Sequence, residues 1–483
     1  MLEYAIIAAV QCALLGAVVI LREPKLLIPA VVLGLPIEYV ETENILSLGS
    51  GGIAGALRSF LNPGQAAMAA TVVVGIIRAR NQPSRIFPDS ALILPILLLV
   101  GIQFLGVAWS DSLTPANSVL ILPLYVGFVF VAPSFIEDRR DIERIVGAFL
   151  LAAILLATLA AVQRLTGVFN WRDILDPADI FSYRSNATFA DPNNLARFLA
   201  VAMSLGAGVI LTNGPRRQTV YLGVPALAAG AVGIVATASR SGWLMLVLCT
   251  FLVVVMAPIS RYTKARITVA SATGMVVLLG LLFVQGGSEA ERVKSLTSAY
   301  GVLGERTFLI NAGWQMFKDN PIVGVGSGNY QHSLVATYLD LVPYWAKTTL
   351  SHTSLVSLVA ELGLVGIAVF SFFVLRVAIT LVRLYHSTDL PYNRLIVGWL
   401  SSSLVGILLV SQSEGRLFDE PYLWVLFAIT IAVETSPALA GRRPFAADTA
   451  AQAAPPGRGK FRGQQVASPA AALMPASAEA VAP

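Results

Sequence analysis

Charged residues, cysteine and histidine are all scarce in this sequence. Only 13% of the residues are Asp, Glu, Lys or Arg, and the chain has two cysteines and three histidines. Both cysteines, Cys12 and Cys249, lie within apolar stretches, where a cysteine is expected to pack rather than to join a disulfide or a metal site. The cysteines therefore support neither a disulfide scaffold nor a bound metal.

What the sequence has in abundance is apolar residues in long runs. Hydrophobic residues make up 56% of the chain, and the mean hydropathy is +0.73. Several runs are long enough to cross the ~30 Å of hydrocarbon in a bilayer, which predicts an all-α, polytopic integral membrane protein. The formal net charge of +5 comes from basic residues in short loops between apolar runs, where they orient helices. Nucleic-acid binding is therefore excluded.

The apolar runs predict about 12 or 13 transmembrane helices. Their approximate limits are 2–21, 26–40, 64–77, 90–109, 118–135, 145–163, 195–213, 220–238, 243–260, 267–285, 354–382, 395–411 and 422–434. The first run is expected to stay in the protein, because Met1-Leu2-Glu3 lacks the basic start of a cleavable signal. We divide the chain into N-terminal transmembrane helices (1–163), a core region (164–435) and a tail (436–483).

Basic loops alternate with loops that are poor in Lys and Arg, which predicts the orientation of the helices. The basic loops should be cytoplasmic; they hold Arg22 and Lys25; Arg78, Arg80 and Arg85; Arg139, Arg140 and Arg144; Arg216 and Arg217; Arg261, Lys264 and Arg266; Arg383 and Arg394. Three longer segments, 41–63, 164–194 and 286–353, then lie outside. The last is rich in aromatic residues and is expected to fold as one large extracytoplasmic loop, whereas the Ala/Pro/Gly-rich tail should be disordered in the cytoplasm.

Four arginines on the predicted outer side stand at or near the ends of apolar runs: Arg184, Arg240, Arg306 and Arg416. Arg240 lies in a very tight polar break, Thr237-Ala238-Ser239-Arg240-Ser241-Gly242. A guanidinium so close to hydrocarbon must be compensated by an anion or by backbone carbonyls, so these positions are candidate ligand sites. An arginine that only reaches for the interface from the end of a hairpin is the alternative, especially for Arg416.

Local motifs surround two of these arginines. Arg184 precedes Asp191-Pro192-Asn193-Asn194, which is typical of a turn and a helix N-cap. Arg306 begins an amphipathic helix that should end at Asp319-Asn320-Pro321 and lie in the interface with its aromatic residues toward the membrane. The glycines that follow, in G-V-G-S-G-N at 324–329, are interpreted as turn glycines, because no βαβ context supports a dinucleotide site.

His352 stands where the long polar segment meets the membrane helix that begins near Ser351 or Thr353. The free N–H groups and the dipole of a helix N-terminus disfavour an imidazolium, so His352 should be neutral and available as a base. A polar helix cap is the alternative. Glu361 lies ~180° around the helix from His352 and cannot orient it. We expect Glu361 to be a buried hydrogen-bonding group between helices.

These motifs resemble the O-antigen ligase family, which includes lipid-linked polysaccharide polymerases. The resemblance rests on five stretches: R-x-x-A-T-F-x-D-P-N-x-x-A at 184–196, S-R-S-G at 239–242, E-R-x-x-x-x-x-x-G-W at 305–314, D-N-P-I-V-G-V-G-S-G-N at 319–329, and H-T-S-L-V-S-L-V-A-E-L-G-L-V-G at 352–366. One departure is that Thr353-Ser354 follow the histidine, where members commonly have H-x-H-N or H-N. This departure leaves the acceptor type open.

The resemblance implies an enzyme of the bacterial inner membrane, with its active site on the outer face. Such enzymes transfer a glycan from a polyprenyl-pyrophosphate carrier to an acceptor hydroxyl on a glycan, lipid or protein, by inversion and without a cofactor or metal. His352 matches the proposed catalytic base; Arg240 and Arg306 match the pyrophosphate-binding positions, with Arg184 as a third. The acidic residues Glu38, Glu41 and Glu43 are the reason that a metal is not ruled out from sequence.

Two other classes of protein remain as alternatives. A transporter or flippase would use the arginines to bind an anionic lipid-linked glycan in transit, but its ionisable groups should lie near the bilayer midplane, often on paired broken helices. Here the arginines cluster at one face beside the large loop, which favours the enzyme. A receptor or scaffold has only that loop in its support. Within the enzyme class, the sequence does not separate a ligase from a polymerase.

Overall fold

The computed structural model describes residue 16 and the ranges 22–38, 62–80, 86–110, 119–168, 184–212, 214–270, 272–273, 306–343, 353–388, 390–415 and 417–440. Within these ranges the chain is helical and contains no strand. His352, Arg416, the predicted tail from residue 441 and most of the predicted spans 2–21 and 267–285 lie outside the described residues. The described residues belong to one compact unit.

The helices that build the fold begin and end close to the predicted apolar runs. In chain order they are α1 (Leu27–Gly34), α2 (Pro63–Ala79), α3 (Ile93–Val107), α4 (Leu122–Val131), α5 (Arg139–Thr166), α6 (Pro192–Leu211), α7 (Val224–Ala236), α8 (Arg240–Met256), α9 (Arg306–Asp319), α10 (Tyr330–Ala336), α11 (Ser354–Ser387), α12 (Pro391–Glu414) and α13 (Pro421–Thr435). A π-helical turn, Thr219–Gly223, leads into α7, and a 3-10 turn, Ala132–Phe135, follows α4.

Several of these helices are long and apolar enough to cross a bilayer. Within the described residues there are 5 such helices: Arg139–Thr166, Pro192–Leu211, Thr219–Ala236, Ser354–Ser387 and Pro391–Ser413. Shorter apolar helices pack among them, and one hydrophobic core runs through the bundle from Leu27 to Leu439. The protein is therefore an all-α membrane protein, as its composition predicted.

The helix ends follow from local sequence. Asp138 caps α5 by accepting a hydrogen bond from the Asp141 N–H (3.0 Å), and the Asp141 carboxylate accepts in turn from the Asp138 N–H. The Asp141 N–H also holds the pKa of Asp138 below its ordinary value. Asp191 caps α6 by accepting a hydrogen bond from the Asn193 N–H (2.7 Å), with Pro192 in the first turn. The predicted cap at 191–194 is thus confirmed.

Contacts at one end of the bundle join the loops that were predicted to share a side. Lys25 forms ion pairs with Glu137 (3.1 Å) and Asp141 (2.8 Å). Gln218 donates to the Glu143 carbonyl and accepts from the Tyr392 hydroxyl. The loops near 25, 140, 217 and 392 therefore meet at the same end, in agreement with the alternation of basic and non-basic loops.

Helices α8 and α12 pack against each other in opposite directions. The contacts pair Met256 with Gly398, Cys249 with Ser402 and Gly406, and Met245 with Gly406. Cys249 is fully buried and donates its thiol hydrogen to the Ser402 carbonyl (3.3 Å), so its predicted packing role is confirmed. This register places the first turn of α8, which begins at Arg240, beside the last turn of α12.

Helix α11 is broken at Gly363, whereas the sequence predicted one uninterrupted span over 354–382. Gly363 has φ 59° and ψ −152°, a conformation open essentially to glycine alone. The segment 321–326 fills the break with backbone hydrogen bonds: Val325 N–H to Ala360 O (2.9 Å), Gly326 N–H to Glu361 O (3.0 Å), Leu364 N–H to Pro321 O (2.9 Å) and Val365 N–H to Ile322 O (3.2 Å). Periodicity could not reveal this break, because its partner lies elsewhere in the chain.

The described part of the predicted outer loop, 306–343, has a small core of its own. Helix α9 begins at Arg306 and ends at Asp319, as predicted. The side chains in this core are Leu309, Ala312, Met316, Tyr330, Leu334, Val342 and Ala360. Trp314, on the predicted interfacial face, is 55% exposed and pairs with Phe317 at 5.2 Å. The sequence identified the exposed aromatic face of α9 but not the face that packs inside the protein.

Candidate functional site

The predicted polar break before Arg240 is a tight turn between α7 and α8. Ser239 caps α8, because its hydroxyl accepts from the Gly242 N–H (3.2 Å) and donates to the Asn193 side-chain oxygen (2.7 Å). Ala238 has φ 48°, which is unfavourable for a residue with a Cβ. The turn is thus strained, and its hydrogen bond to Asn193 holds it in place. It fixes the position of the half-buried Arg240 at the start of α8.

Arg184 is buried against this same turn. Its Nε donates to the Thr237 carbonyl (2.9 Å), and one Nη donates to the Asn193 side-chain oxygen. The Ser185 N–H adds a hydrogen bond to the Ala236 carbonyl (3.0 Å). The structure therefore brings Arg184 to the turn that carries Arg240. It also gives Arg184 two partners within the protein.

A second residue with a strained backbone, Ala187, lies in the segment that leads into α6. Ala187 has φ 47° and is fully buried, and Gln163 holds it from both sides. The Gln163 side chain donates to the Ala187 carbonyl (3.1 Å) and accepts from the Ala187 N–H (2.8 Å). Strained backbone that persists because its surroundings fix it is typical of functional sites. Here two such residues, Ala187 and Ala238, lie in the segments that lead into α6 and α8.

The start of α11 lies at the same end of the bundle. Thr353 is the N-cap residue, so His352 immediately precedes the cap, where the sequence predicted a helix start. The Leu355 N–H donates to the Gln412 side-chain oxygen (3.0 Å) at the end of α12. Since the register of α8 and α12 puts Arg240 beside this end of α12, the start of α11 and Arg240 share one region. Gln412 was not predicted from the sequence.

Helix α9 runs parallel to α11, and its register locates Arg306. A Cβ built at Gly313 would lie 2.5 Å from the Val356 side chain, and the Leu364 N–H reaches the Pro321 carbonyl. Both contacts join residues with the same separation in sequence. At 1.5 Å per residue, this register places Arg306 at the N-terminal end of α11, slightly beyond its first turn. Arg306, which is half-buried, therefore lies beside the N-terminal end of α11.

The comparison with known families falls on this region. Residues 225–371 match the family model of the O-antigen ligases. The family predicted from the motifs is thus confirmed for this segment, which contains Arg240, Arg306 and His352 but not Arg184. No curated protein matches the chain. The O-antigen ligase segment includes the turn before α8, α9 with its small core, and the break in α11.

A buried ion pair lies outside the O-antigen ligase segment and was missed by the sequence reasoning. Arg197 of α6 and Glu420, just before α13, are 0% and 1% exposed at their side chains and lie 2.8 Å apart. Arg197 also donates to the Asn194 side-chain oxygen (2.8 Å). The available signal was a cation inside the predicted span 195–213, which in a membrane protein demands a partner.

Glu38 belongs to the same polar group. Its carboxylate accepts from the Asn194 side chain (3.2 Å) and from the Ala190 N–H (3.3 Å). Glu41 and Glu43 are the other two acidic residues because of which a metal site was not ruled out from the sequence. Both lie outside the described residues. In the ranges that the structure describes, no three His, Cys, Asp or Glu side chains stand close enough to hold a metal ion.

Breaking the Arg197–Glu420 pair is expected to destabilise the protein strongly. Glu420→Leu leaves a buried guanidinium without its counter-charge, which costs about 3–5 kcal/mol, whereas Arg197→Met with Glu420→Leu should recover most of the loss. Thermal unfolding of the purified protein in detergent would measure both effects. If the Glu420→Leu protein unfolded at the same temperature as the wild type, the pair would contribute nothing to stability.

Glu361, in α11, makes a further polar contact within the O-antigen ligase segment. Its carboxylate accepts from the Gly328 N–H (2.8 Å) and the Tyr330 N–H (3.2 Å), so it caps α10 from α11. This is a hydrogen bond between helices, as expected, although its partners are backbone groups. Burial, together with the nearby Glu361 carboxylate, raises the pKa of Tyr330 well above its usual range. Tyr330 therefore stays protonated and donates to the Leu309 carbonyl.

Proposed function

We propose that this protein transfers a glycan from a polyprenyl-pyrophosphate carrier to an acceptor hydroxyl at the outer face of the bacterial inner membrane. The observation that carries the proposal is that Arg240, at the start of α8, and Arg306, at the start of α9, lie at the same end of the bundle as the start of α11, within the segment that matches the O-antigen ligases. The match supports a membrane enzyme of glycan ligation or polymerisation. The donor, the roles of the residues and the side of the membrane are part of the proposal.

Arg240 and Arg306 bind the pyrophosphate of the donor. A guanidinium presents a planar pair of N–H groups that fits two phosphate oxygens, and it keeps its charge near hydrocarbon. As the bond between the anomeric carbon and the pyrophosphate breaks, negative charge grows on the leaving oxygen. Fixed cations at that point stabilise the transition state more than the bound donor.

Arg184 serves the same pyrophosphate from the segment before α6, which packs against the turn. The Thr237 carbonyl and the Asn193 side chain fix its guanidinium beside the residues that carry Arg240. Through these bonds Arg184 also keeps the Arg240 turn in place. Arg184 thus contributes charge and geometry together.

His352 acts as the general base. The acceptor hydroxyl attacks the anomeric carbon, its proton passes to the neutral imidazole, and the polyprenyl pyrophosphate leaves from the opposite face, so the configuration inverts. The end of α11 and the nearby arginines disfavour a second positive charge, which keeps the imidazole neutral before the reaction. In the sequence His352 directly precedes Thr353, the N-cap residue of α11.

The site faces away from the cytoplasm in this proposal. The loops that carry most of the basic residues meet at the opposite end of the bundle, through contacts such as Lys25 with Asp141. Basic loops are retained in the cytoplasm, so Arg240, Arg306 and the start of α11 lie outside. A lipid-linked glycan that has already crossed the membrane is then the substrate within reach.

The test is a transfer assay with the purified protein in liposomes. A fluorescent polyprenyl-pyrophosphate oligosaccharide is supplied with an unlabelled acceptor glycan, lipid A or protein, one at a time. We expect the release of polyprenyl pyrophosphate to match glycan transfer one to one. A single addition would indicate a ligase, and a ladder of products would indicate a polymerase. Movement of the labelled lipid between leaflets without release would overturn the proposal in favour of a flippase.

A further inference from the structure

The break in α11 places one carboxylate at the junction of three helices. Glu361 stands two residues before Gly363, and its backbone carbonyl accepts from the Gly326 N–H. Its side chain caps α10 through Gly328 and Tyr330. Glu361 therefore shares with its neighbours in α11 the contacts to 321–326, and its side chain binds the start of the helix that follows.

The same contacts continue to the helix that begins with Arg306. The Tyr330 hydroxyl donates to the Leu309 carbonyl, which lies one turn from Arg306 on α9. A Cβ at Gly324 would lie 2.3 Å from the Glu361 carbonyl carbon, so the backbone of this segment is in close contact with α11 at the break. The orientation of α9 relative to α11 thus depends on groups that Glu361 binds.

We propose that Glu361 is a positioning residue, which fixes Arg306 relative to the start of α11 by holding α10 and, through Tyr330, α9. This inference rests on the proposed function, in which Arg306 binds the donor pyrophosphate. The Glu361 side chain is suited to the task because its two oxygens accept two backbone N–H groups at once, Oε2 from Gly328 and Oε1 from Tyr330. A displacement of about 1 Å in a substrate-positioning group can cost roughly 10²-fold in rate.

The first arm of the test measures transfer. Glu361→Gln keeps one acceptor but presents an amide NH₂ to the second N–H, so kcat/KM for the lipid-linked donor should fall about 10- to 100-fold. The same substitution in an Arg306→Lys background should cost less than about 3-fold, because the group that it positions is already impaired. Asp340→Asn is the matched control: this exposed carboxylate of the same region should change nothing.

The second arm does not depend on activity. Hydrogen–deuterium exchange of the membrane-embedded protein should be faster over 328–336 in Glu361→Gln than in the wild type, and unchanged in Asp340→Asn. Unchanged exchange, or an equal loss of kcat/KM in both backgrounds, would overturn the positioning role. Absence of transfer by the wild type would instead contradict the proposed function, while the exchange arm would still test Glu361.

Discussion

Replacing Arg240 or Arg306 by Ala is expected to lower glycan transfer by at least about 10³-fold while the protein remains folded in the membrane. In the proposed mechanism each guanidinium faces a leaving group whose negative charge grows as the reaction proceeds, and removing one such group in other enzymes costs about 10²–10⁵-fold. Turnover of a purified lipid-linked donor in liposomes measures the effect. Lys should restore little, because an ammonium cannot bind two phosphate oxygens in one plane.

Lys318→Ala is the matched control for the arginine variants. Lys318 is an exposed cation on α9, the helix that Arg306 begins, and it lies in the last turn, away from the start of α11. Its removal should leave transfer unchanged. Full activity in both Lys variants would show that Arg240 and Arg306 only reach for the interface, and that the pyrophosphate is bound elsewhere.

His352→Gln should lose about 10²–10⁴-fold in kcat and far less in donor affinity. Gln keeps a polar side chain of similar reach but cannot take a proton, and general-base assistance typically contributes a factor of this size. In the wild type the base must be deprotonated, so kcat falls as the pH drops through its pKa. Because the helix end and the arginines disfavour imidazolium, that fall should occur below the ordinary histidine value of about 6.5.

His332→Gln provides the comparison for this result. His332 is an exposed residue of α10, so its loss removes an imidazole from the same region without touching the proposed base. It should retain wild-type turnover and the wild-type pH profile. Near-normal turnover of His352→Gln would assign the histidine a structural role and leave the arginines to provide the catalysis.

Features set by neighbouring residues were predictable from the sequence. The Asp191-Pro192 cap, the break at 237–242 and the end of α9 before Pro321 all follow from side chains within a turn of the boundary. The clustering of the basic loops at one end of the bundle was predictable because loops rich in Lys and Arg stay on the cytoplasmic side of a membrane. That rule concerns the membrane and not the fold. The arginines and His352 could be singled out because an ionisable group beside hydrocarbon demands a reason.

Features that join distant segments were not predictable. Arg197 and Glu420 belong to different helices, and neither shows in its own surroundings which group neutralises it. The break in α11 looks apolar and continuous in sequence, because the groups that satisfy Ala360 and Leu364 come from residues 321–326. The glycines of that segment were interpreted as turn residues. They do have positive φ, but Gly324 is also needed for close approach to Glu361.

The break in α11 also has a consequence for the order of events during membrane insertion. An unpaired backbone N–H or carbonyl in hydrocarbon costs several kcal/mol, so before 321–326 docks, the segment 354–387 is most stable as an unbroken helix. We expect the translocon to release a plain transmembrane span, which opens at Gly363 only when the preceding loop, which the proposed topology places outside, supplies its backbone groups. Maturation of the enzyme is then a step separate from its insertion, and a chain can be fully integrated in the bilayer before it is able to act.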